Sequence, residues 1–526
     1  MTDDRTGTSI RPHRPRLQRW LFLLGLGISL QLGASPHASE TQTAPRIGAL
    51  ATESDLHAQP SSHEPAGSTI AQDGGAAAGG AVPAFGIYGS NTIGAQLMPA
   101  LLDGYAAQIG VRAISLVGND PEEVQLHLAA ASGLLLTRID LRSHGSATAF
   151  PALASGKAAI GMSSRRIKPD EAHALESIIS GGNMYDRDHE HVLGLDGLLV
   201  LVSPDNPVKS LTIDQIAEIF SGQVTDWSQI RQTPGPINIY ARDNKSGTFD
   251  TFQSLVLGTR KLAAGAKRFE SSEELSDEVA RDPNGIGFVG FAYVRNAKAL
   301  AIDSHCGIMS RATAMNVKTE EYPLSRRLYL YTADMTDRTP AANIVDYALS
   351  ERAQPIVKAQ GFVDQSLEYL NAEDQLARLD RLTAEPVPPF DATLSKQLAL
   401  RLRGTIRISS TFRFRSDSAE LDSRAGVDVR RLAEFARFID DPAHHQGRTL
   451  ILAGFSDSVG NPTNNAVLSV ERARQVRDAV IAAMGKQPAA GMLEVEGFGR
   501  LLPVACNDTV EGRERNRRVE VWLRAQ

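Results

Sequence analysis

The chain has 526 residues, too many for one ordinary core, so more than one domain is expected. Its 42% hydrophobic and 22% charged residues are those of a globular protein. A formal net charge of −6 supplies no basic field to gather a phosphate backbone, which argues against nucleic acid as a partner.

At the N-terminus Arg11, Arg14, Arg16 and Arg19 precede the apolar run Trp20 to Leu32 and the small residues Gly33, Ala34 and Ser35. This is the pattern of a secretory signal peptide over residues 1–35, with a retained anchor as the alternative; the apolar run is short for a membrane span. No Cys follows it, so a lipidated N-terminus is not supported. Residues 36–83, rich in Ala, Gly, Ser, Thr and Gln, read as a flexible linker. From 84 to 364 strand-like runs alternate with amphipathic helices, the pattern of α/β layers around a largely parallel sheet. Thr212 and Gln215 form a capping box there, ahead of Ile216, Ile219 and Phe220 on an inner helix face. Residues 365–403, with Pro386-Val387-Pro388-Pro389, read as a partly helical connector. A small α+β unit follows over 404–526: Val429, Leu432, Ala436 and Ile439 mark a helix, Thr449 to Phe455 a strand, Leu468, Val476 and Val480 a second helix, and Arg518 to Leu523 a last strand. Cys306 and Cys506 fall in different domains. An oxidising compartment permits a bridge, but nothing in the sequence brings their Cα atoms together, so two separate buried thiols are expected.

The run Ile237 to Arg242 ends a strand in a cation, and Ser246-Gly247-Thr248 then opens a helix carrying Phe249, Phe252 and Val256. Backbone N–H groups at such a start, beside hydroxyls and a guanidinium, suit a tetrahedral oxyanion. The negative net charge is no obstacle where local dipoles and one Arg hold the anion in a closed cleft. Desolvating a divalent anion costs at least several kcal/mol, so one loop is not enough. Three further segments can contribute: Gly89 to Thr92, opening a helix with Ile93, Leu97 and Leu101; His144 to Thr148, after the extended stretch Thr137 to Leu141 and before a short helix at Phe150 to Ala154; and Ile160 to Arg166, a strand ending in hydroxyls and cations.

The ordered motifs GSNTIG, HGSATAF, AAIGMSSRRIKPDE, YARDNKSGTFDTF, NGIGFVGFAYV and YPLSRRLYLY resemble the phosphate-binding periplasmic proteins of ABC transporters over roughly residues 85–360. The resemblance implies a type II two-lobed periplasmic-binding-protein fold with the anion between hinged lobes. It carries the ligand donors onto Thr92 with the Ile93 amide, Ser146, Ser164, Arg242, Ser246, Gly247 and Thr248. Ser164 stands where the family often has an Asp that accepts the proton of hydrogen phosphate. A Ser can donate or accept, which leaves discrimination of phosphate from sulfate open. For Arg242 the plain alternative is an ion pair with Asp243 or Asp250. The stretch Val111 to Leu136 is longer than a simple strand, an embellishment or a partner surface.

In the last unit Phe455 to Gly460 ends a strand in an acidic loop, and the following helix places Asn465, Leu468 and Arg472 on one face. The runs AGFSDSVGNPTNNAVLSVERARQVRDAV and GFGRLLPVACNDTVEGRERNRRVEVWL resemble the OmpA-type peptidoglycan-binding domain over about 405–526. That resemblance implies a grip on the diaminopimelate of the stem peptide by Asp457 and Arg472, with Asn465 supporting and Arg517 a further candidate; Ser456 replaces a common Thr. The alternative is that Asp457 caps a helix and Arg472 is a solvated charge. Asp186, Asp188, His189, Glu190 and His191 resemble a metal cluster but lead into a strand, and no metal, cofactor or catalytic nucleophile is expected. The reading is a periplasmic, cell-wall-associated binder of inorganic phosphate or a related oxyanion, with an ABC transporter permease or sensor as a possible partner and no enzymatic activity. The alternatives are a structural envelope protein whose α/β domain binds another oxyanion or no ligand, and a phosphate-releasing hydrolase.

Overall fold

The computed structural model describes residues 82–524 except 118–119, 121, 231–233, 245, 335–337, 371–374, 377, 380–388, 415–420 and 445–446. The signal peptide, nearly all of the linker and the Pro386–Pro388 part of the connector therefore lie outside the described residues. Among the described residues no helix is long and apolar enough to cross a membrane.

The first lobe is built on β1 (Ala84–Gly89), parallel to β4 (Leu135–Arg142) and β5 (Ile160–Ser163). The long stretch noted in the sequence is a hairpin of β2 (Arg112–Val117) and β3 (Glu123–Ala129), which extends this sheet through β4. The second lobe uses β7 (Asn238–Arg242), β8 (Lys267–Phe269) and β9 (Gly285–Gly290). Joining the two are β6 (Glu190–Val202) and β10 (Ser325–Tyr331), in the order β2-β3-β4-β1-β5-β10-β6-β9-β7-β8. The first part of β6 pairs with β10 and its last residues, Leu198 to Val202, pair with β9, so one strand runs from lobe to lobe. Its near-continuous apolar run, buried along almost its whole length, is what a strand covered on both faces requires. Beside it, Leu195 of β6 forms an antiparallel bridge to Val363, both packed in the second-lobe core.

Each lobe has its own core. Ile87, Leu101, Ile139, Ile160, Leu330 and Ile344 pack in the first, and Ile219, Phe220, Phe252, Phe288 and Tyr322 in the second, where the Phe252 and Phe288 rings stack 3.9 Å apart. The expected capping box is present: Thr212 Oγ1 accepts from Gln215 N at 3.1 Å and Gln215 Oε1 from Thr212 N at 2.9 Å. Ile93, Leu97 and Leu101 do not share one helix. A single turn, Asn91–Gly94, is followed at Leu97–Gln108 by a separate helix, because Gln96 leaves helical geometry at φ −136°.

The C-terminal module is a sheet of β11 (Thr405–Arg413), β12 (Thr449–Phe455), β13 (Leu493–Gly497) and β14 (Arg518–Arg524) in the order β11-β14-β12-β13. Helices Ala425–Asp440 and Pro462–Met484 accompany it. Part of the expected connector belongs to this module. Helix Pro389–Leu402 buries Leu398 and Leu402 against Ile451, Phe455 and Trp522, with Leu394 at the edge of the same stripe. Charged neighbours conceal that four-residue spacing in the sequence.

The expectation of two separate thiols is overturned: Cys306 and Cys506 are joined in a disulfide, with Cα atoms 5.8 Å apart across 200 residues of chain. The module folds back on the second lobe, a tertiary event that sequence separation does not reveal. Buried ion pairs line the same junction. Glu320 accepts from Arg327 at 2.9 Å and Arg413 at 3.0 Å, Glu321 from Arg378 at 3.0 Å and Arg407 at 2.5 Å, and Glu520 from Arg518 at 2.7 Å. Burial alone would raise these carboxyls. For Glu320 it is outweighed by Arg327, Arg424 and Arg413, and for Glu321 by Arg407 and Arg378, so both lie well below the usual carboxylate range. A carboxyl depressed in the folded state stabilises it fully above its unfolded pKa, near 4.5 here, and loses that contribution as pH falls toward the folded value. Asp428, raised by burial against Arg424 and Arg431, contributes with the opposite sign. The expected net result is a calorimetric Tm that drops below about pH 4.5, with a shallower drop in Glu320→Gln. Parallel profiles for the two proteins would contradict it.

Candidate functional site

Three loops at the carboxyl ends of β1, β4 and β5 are stitched together by backbone. Ser90 N donates to Met162 O at 2.9 Å, and Gly145 N donates to Gly89 O at 2.8 Å. Gly89, at φ 140°, has no room for a side chain, since a Cβ there would lie 2.0 Å from Met162 O. Open α/β sheets bind ligands at such strand ends. On this platform Ser146 Oγ accepts from Ser164 N at 3.0 Å and lies 3.2 Å from Ser164 Oγ. His144 is held from the hairpin side, 3.0 Å from Glu122 Oε2 and 3.1 Å from Glu123 Oε1, while Asn91 Nδ2 donates to Glu122. The β2–β3 hairpin thus braces two of the loops. Hydrogen bonding to Glu123 raises the His144 pKa, against partial burial and with help from Glu122.

From the second lobe, Ser246 caps helix Gly247–Phe252, its Oγ accepting from Thr248 N at 3.2 Å. Gly247 meets Thr92 directly: a Cβ on Gly247 would sit 1.9 Å from Thr92 Oγ1. Only glycine lets the lobes approach this closely. Arg326 of β10 closes the arrangement. It binds Asp196 of β6 at 2.8 and 3.1 Å and donates to Gly247 O at 2.9 Å and to Thr92 Oγ1 at 3.4 Å. Hinge, first lobe and second lobe are joined at one guanidinium. A cavity of about 1080 Å³ borders the site, lined by Ser146, Ser164 and Arg326 and, from the C-terminal module, by Arg413, Phe414 and Arg515.

In that module Asp457 Oδ2 pairs with Arg517 Nη1 at 2.9 Å, while Asp457 Oδ1 accepts from Val459 N. Asn465 Nδ2 holds the loop through Val459 O at 3.0 Å and Asp457 O at 3.3 Å. Arg472 is 4% exposed, and its Nε and Nη1 have no hydrogen-bond acceptor among the described residues. Its guanidinium lies over the Phe414 ring, 5.4 Å from the centroid. Burial lowers its pKa, the Arg517 charge lowers it further, and Asp457 offsets this only in part. A buried, under-neutralised guanidinium next to a carboxylate suits a ligand bearing both an anionic and a cationic group.

Residues 136–352 match the PBP superfamily domain and residues 413–517 the OmpA family. Protein SphX of Synechocystis sp. is 30% identical over 251 residues, 44% of this chain and 71% of that protein. The chain belongs to the SphX and PstS family of the PBP superfamily, extended by an OmpA family domain. The phosphate-binding protein PstS of Pseudomonas aeruginosa is 28% identical over 243 residues, 43% of this chain and 73% of that protein. A crystal structure of an ABC-type phosphate transport receptor from Vibrio cholerae, 24% identical, covers 53% of this chain and 99% of its own at a TM-score of 0.42.

Against the residues expected from sequence, the PBP cleft brings Thr92 to Gly247 and Ser146 to Ser164, with Ser246 and Thr248 at the helix start. The Ile93 side chain is fully buried in the first-lobe core, which leaves only its backbone amide for a ligand. Arg242 ends β7, and its described contacts lie within the second lobe. Its guanidinium donates to Phe269 O at 3.3 Å and to Ser272 Oγ, and lies 3.9 Å from Asp243. The guanidinium that reaches Thr92 and Gly247 is Arg326, which sequence reasoning missed. Its signal was the pair Arg326-Arg327 in YPLSRRLYLY: strand alternation sends one to the cleft and the other to Glu320 and Asp422. In the OmpA domain Leu468 is 41% exposed and leaves the face shared by Asn465 and Arg472. At the entrance to β6, His189 and His191 both turn to Thr332, and Glu190 binds Arg166 and Tyr331. Burial, then the neighbouring His189, pushes the His191 pKa down to about 4.

Proposed function

We propose that this protein is a receptor that captures inorganic phosphate between its PBP lobes while its OmpA domain holds the diaminopimelate of a peptidoglycan stem peptide, in the periplasm at the cell wall. Thr92 with the Ile93 amide, Ser146, Ser164, Ser246, Gly247 and Thr248 supply donors to the anion. Arg242, at the end of β7, is the second lobe's candidate guanidinium for the anion, and Arg326 joins Thr92 to Gly247. The observation that carries the reading is the meeting of Thr92 with Gly247 at Arg326, which lines one cavity together with the Ser146–Ser164 pair. Hydroxyls of the first lobe at the carboxyl ends of β1, β4 and β5, with a helix start from the second lobe beside Thr92, support an anion site there. The name of the P. aeruginosa relative, a phosphate-binding protein, agrees with it. A binding receptor needs no nucleophile, and the protein acts by capture, handing phosphate to a transporter or reporting it to a sensor.

Calorimetric titration of the full chain with phosphate, arsenate, sulfate and molybdate tests this. Phosphate and arsenate should bind with like affinity, because both present a proton that Ser164 can accept and oxygens that it can donate to. Absence of binding by all four would favour a structural envelope role, and turnover of a chromogenic phosphomonoester a hydrolase. Gly247→Ala should weaken phosphate binding by about tenfold or more, since its methyl displaces Thr92; one factor of ten is about 1.4 kcal/mol. Unchanged affinity would mean that the anion does not require this approach of the lobes.

A further inference from the structure

The OmpA domain touches both lobes of the binding domain, and the two sets of contacts differ in kind. On the second lobe it is attached covalently through Cys306–Cys506. Around that bond His305 pairs with Asp508 at 2.5 Å, Arg515 donates to Pro323 O at 3.0 Å, Arg413 donates to Thr319 O at 2.5 Å, and Arg407 and Arg378 enclose Glu321. On the first lobe the contacts are fewer. Arg431, on helix Ala425–Asp440, pairs with Glu351 and donates to Leu349 O at 3.3 Å, at the end of helix Pro340–Leu349, and Ser423 donates to Glu190 at the start of β6. Between the two sets, Asp422 accepts from Arg327 on hinge strand β10 at 2.6 Å.

We infer that the OmpA domain is a strap across the binding domain, fixed to the second lobe and latched to the first by Ser423 and Arg431, so that the lobes separate only when this latch releases. Opening a two-lobed domain rotates one lobe about strands such as β6 and β10. A module bonded to the second lobe and sharing buried charges with it must travel with that lobe. Rotation then has to break whatever joins the module to the first lobe. Those joints are the weaker ones in number and in cover: one hydrogen bond from Ser423 to the buried Glu190, and the pair of the buried Arg431 with Glu351, whose side chain is 51% accessible, against a disulfide, Glu320 held by Arg413 and the buried Glu321 held by Arg407. The half-exposed Glu351 carboxylate regains water when its pair parts, while parting the charges enclosed at the second lobe leaves them buried and unpaired. Entry and exit at the Thr92–Gly247 cleft are thereby gated by the wall-binding domain. The inference rests on these contacts alone and does not require that the anion be phosphate.

Hydrogen–deuterium exchange on the full, disulfide-bonded chain without ligand tests it. The readout is the exchange of peptides spanning Thr92–Leu97 and Gly247–Thr251, whose amides lie where the lobes meet. In the double variant Ser423→Ala/Arg431→Ala, exchange in both peptides should quicken by about tenfold, as opening of the cleft becomes easier. Glu351→Gln, which removes only an exposed partner and leaves the core intact, should shift both peptides in the same direction by a smaller factor. Lys486→Ala, which breaks the pair with Asp440 at the other end of the same helix, should shift neither. Rates in both peptides unchanged in the double variant and in Glu351→Gln would overturn the strap, as would an equal acceleration in Lys486→Ala.

Discussion

Arg326→Ala is expected to lower the unfolding free energy by about 3–5 kcal/mol and to abolish measurable oxyanion binding. Arg326 and Asp196 are directly opposed across the two hinge strands, and both are buried, at 9% and 3% exposure. Truncating the arginine leaves the Asp196 carboxylate inside the hinge without its ion pair. Removing one partner of such a pair is far more damaging than replacing both. The same change strips the Gly247 carbonyl and the Thr92 hydroxyl of their shared donor, so the two lobes lose the group that joins them at the cleft floor. Arg326→Lys retains the charge but not the planar fork that serves Asp196, Gly247 and Thr92 together. It should recover part of the stability and little of the binding. A urea midpoint for Arg326→Ala equal to that of the parent would show that Asp196 does not depend on this partner.

What the sequence discloses about this molecule follows the range of the interactions involved. The capping box at Thr212 and Gln215, the strand Thr449 to Phe455 and the helix start at Ser246 are set by neighbours within a few residues, and each lies where local pattern places it. Thr92, Ser146, Ser164 and Gly247, expected as donors, are legible as ordered motifs, and the fold brings them together in pairs. Features that depend on how domains pack are not legible. Cys306 and Cys506 give no local sign of pairing, because the approach of their loops is decided by docking of the OmpA domain. Arg242 and Arg326 are both arginines at strand positions near the hinge. Which one faces Thr92 is decided by Ser272 and Phe269 on one side and Asp196 on the other, all distant in sequence. Leu398 and Leu402 belong to the OmpA core although the charged stretch around them reads as a connector.

The same contrast between paired and unpaired buried charge sets the second large effect. Arg472→Ala is expected to abolish retention on purified sacculi while leaving the thermal midpoint unchanged or higher. A structural guanidinium is satisfied by the protein itself, and its removal costs stability. Arg472 is buried, and among the described residues neither its Nε nor its Nη1 reaches an acceptor; the nearby charge of Arg517 opposes it, and the Asp457 charge and the face of Phe414 compensate it without a hydrogen bond to either nitrogen. Burying a cation in that way costs free energy in the unliganded protein. The arrangement is favourable once a ligand carboxylate arrives to take both guanidinium nitrogens, a bidentate contact that lysine could not reproduce. Asp457→Ala should also lose retention, by removing the partner for the ligand ammonium, but with the opposite effect on stability: Arg517 loses its 2.9 Å ion pair and the loop loses the Val459 N–H contact. Two variants with the same binding defect and opposite changes in Tm separate a ligand site from a general weakening of the domain. If Arg472→Ala instead lowers Tm by several degrees and keeps its hold on sacculi, the guanidinium is structural, and the wall ligand binds elsewhere.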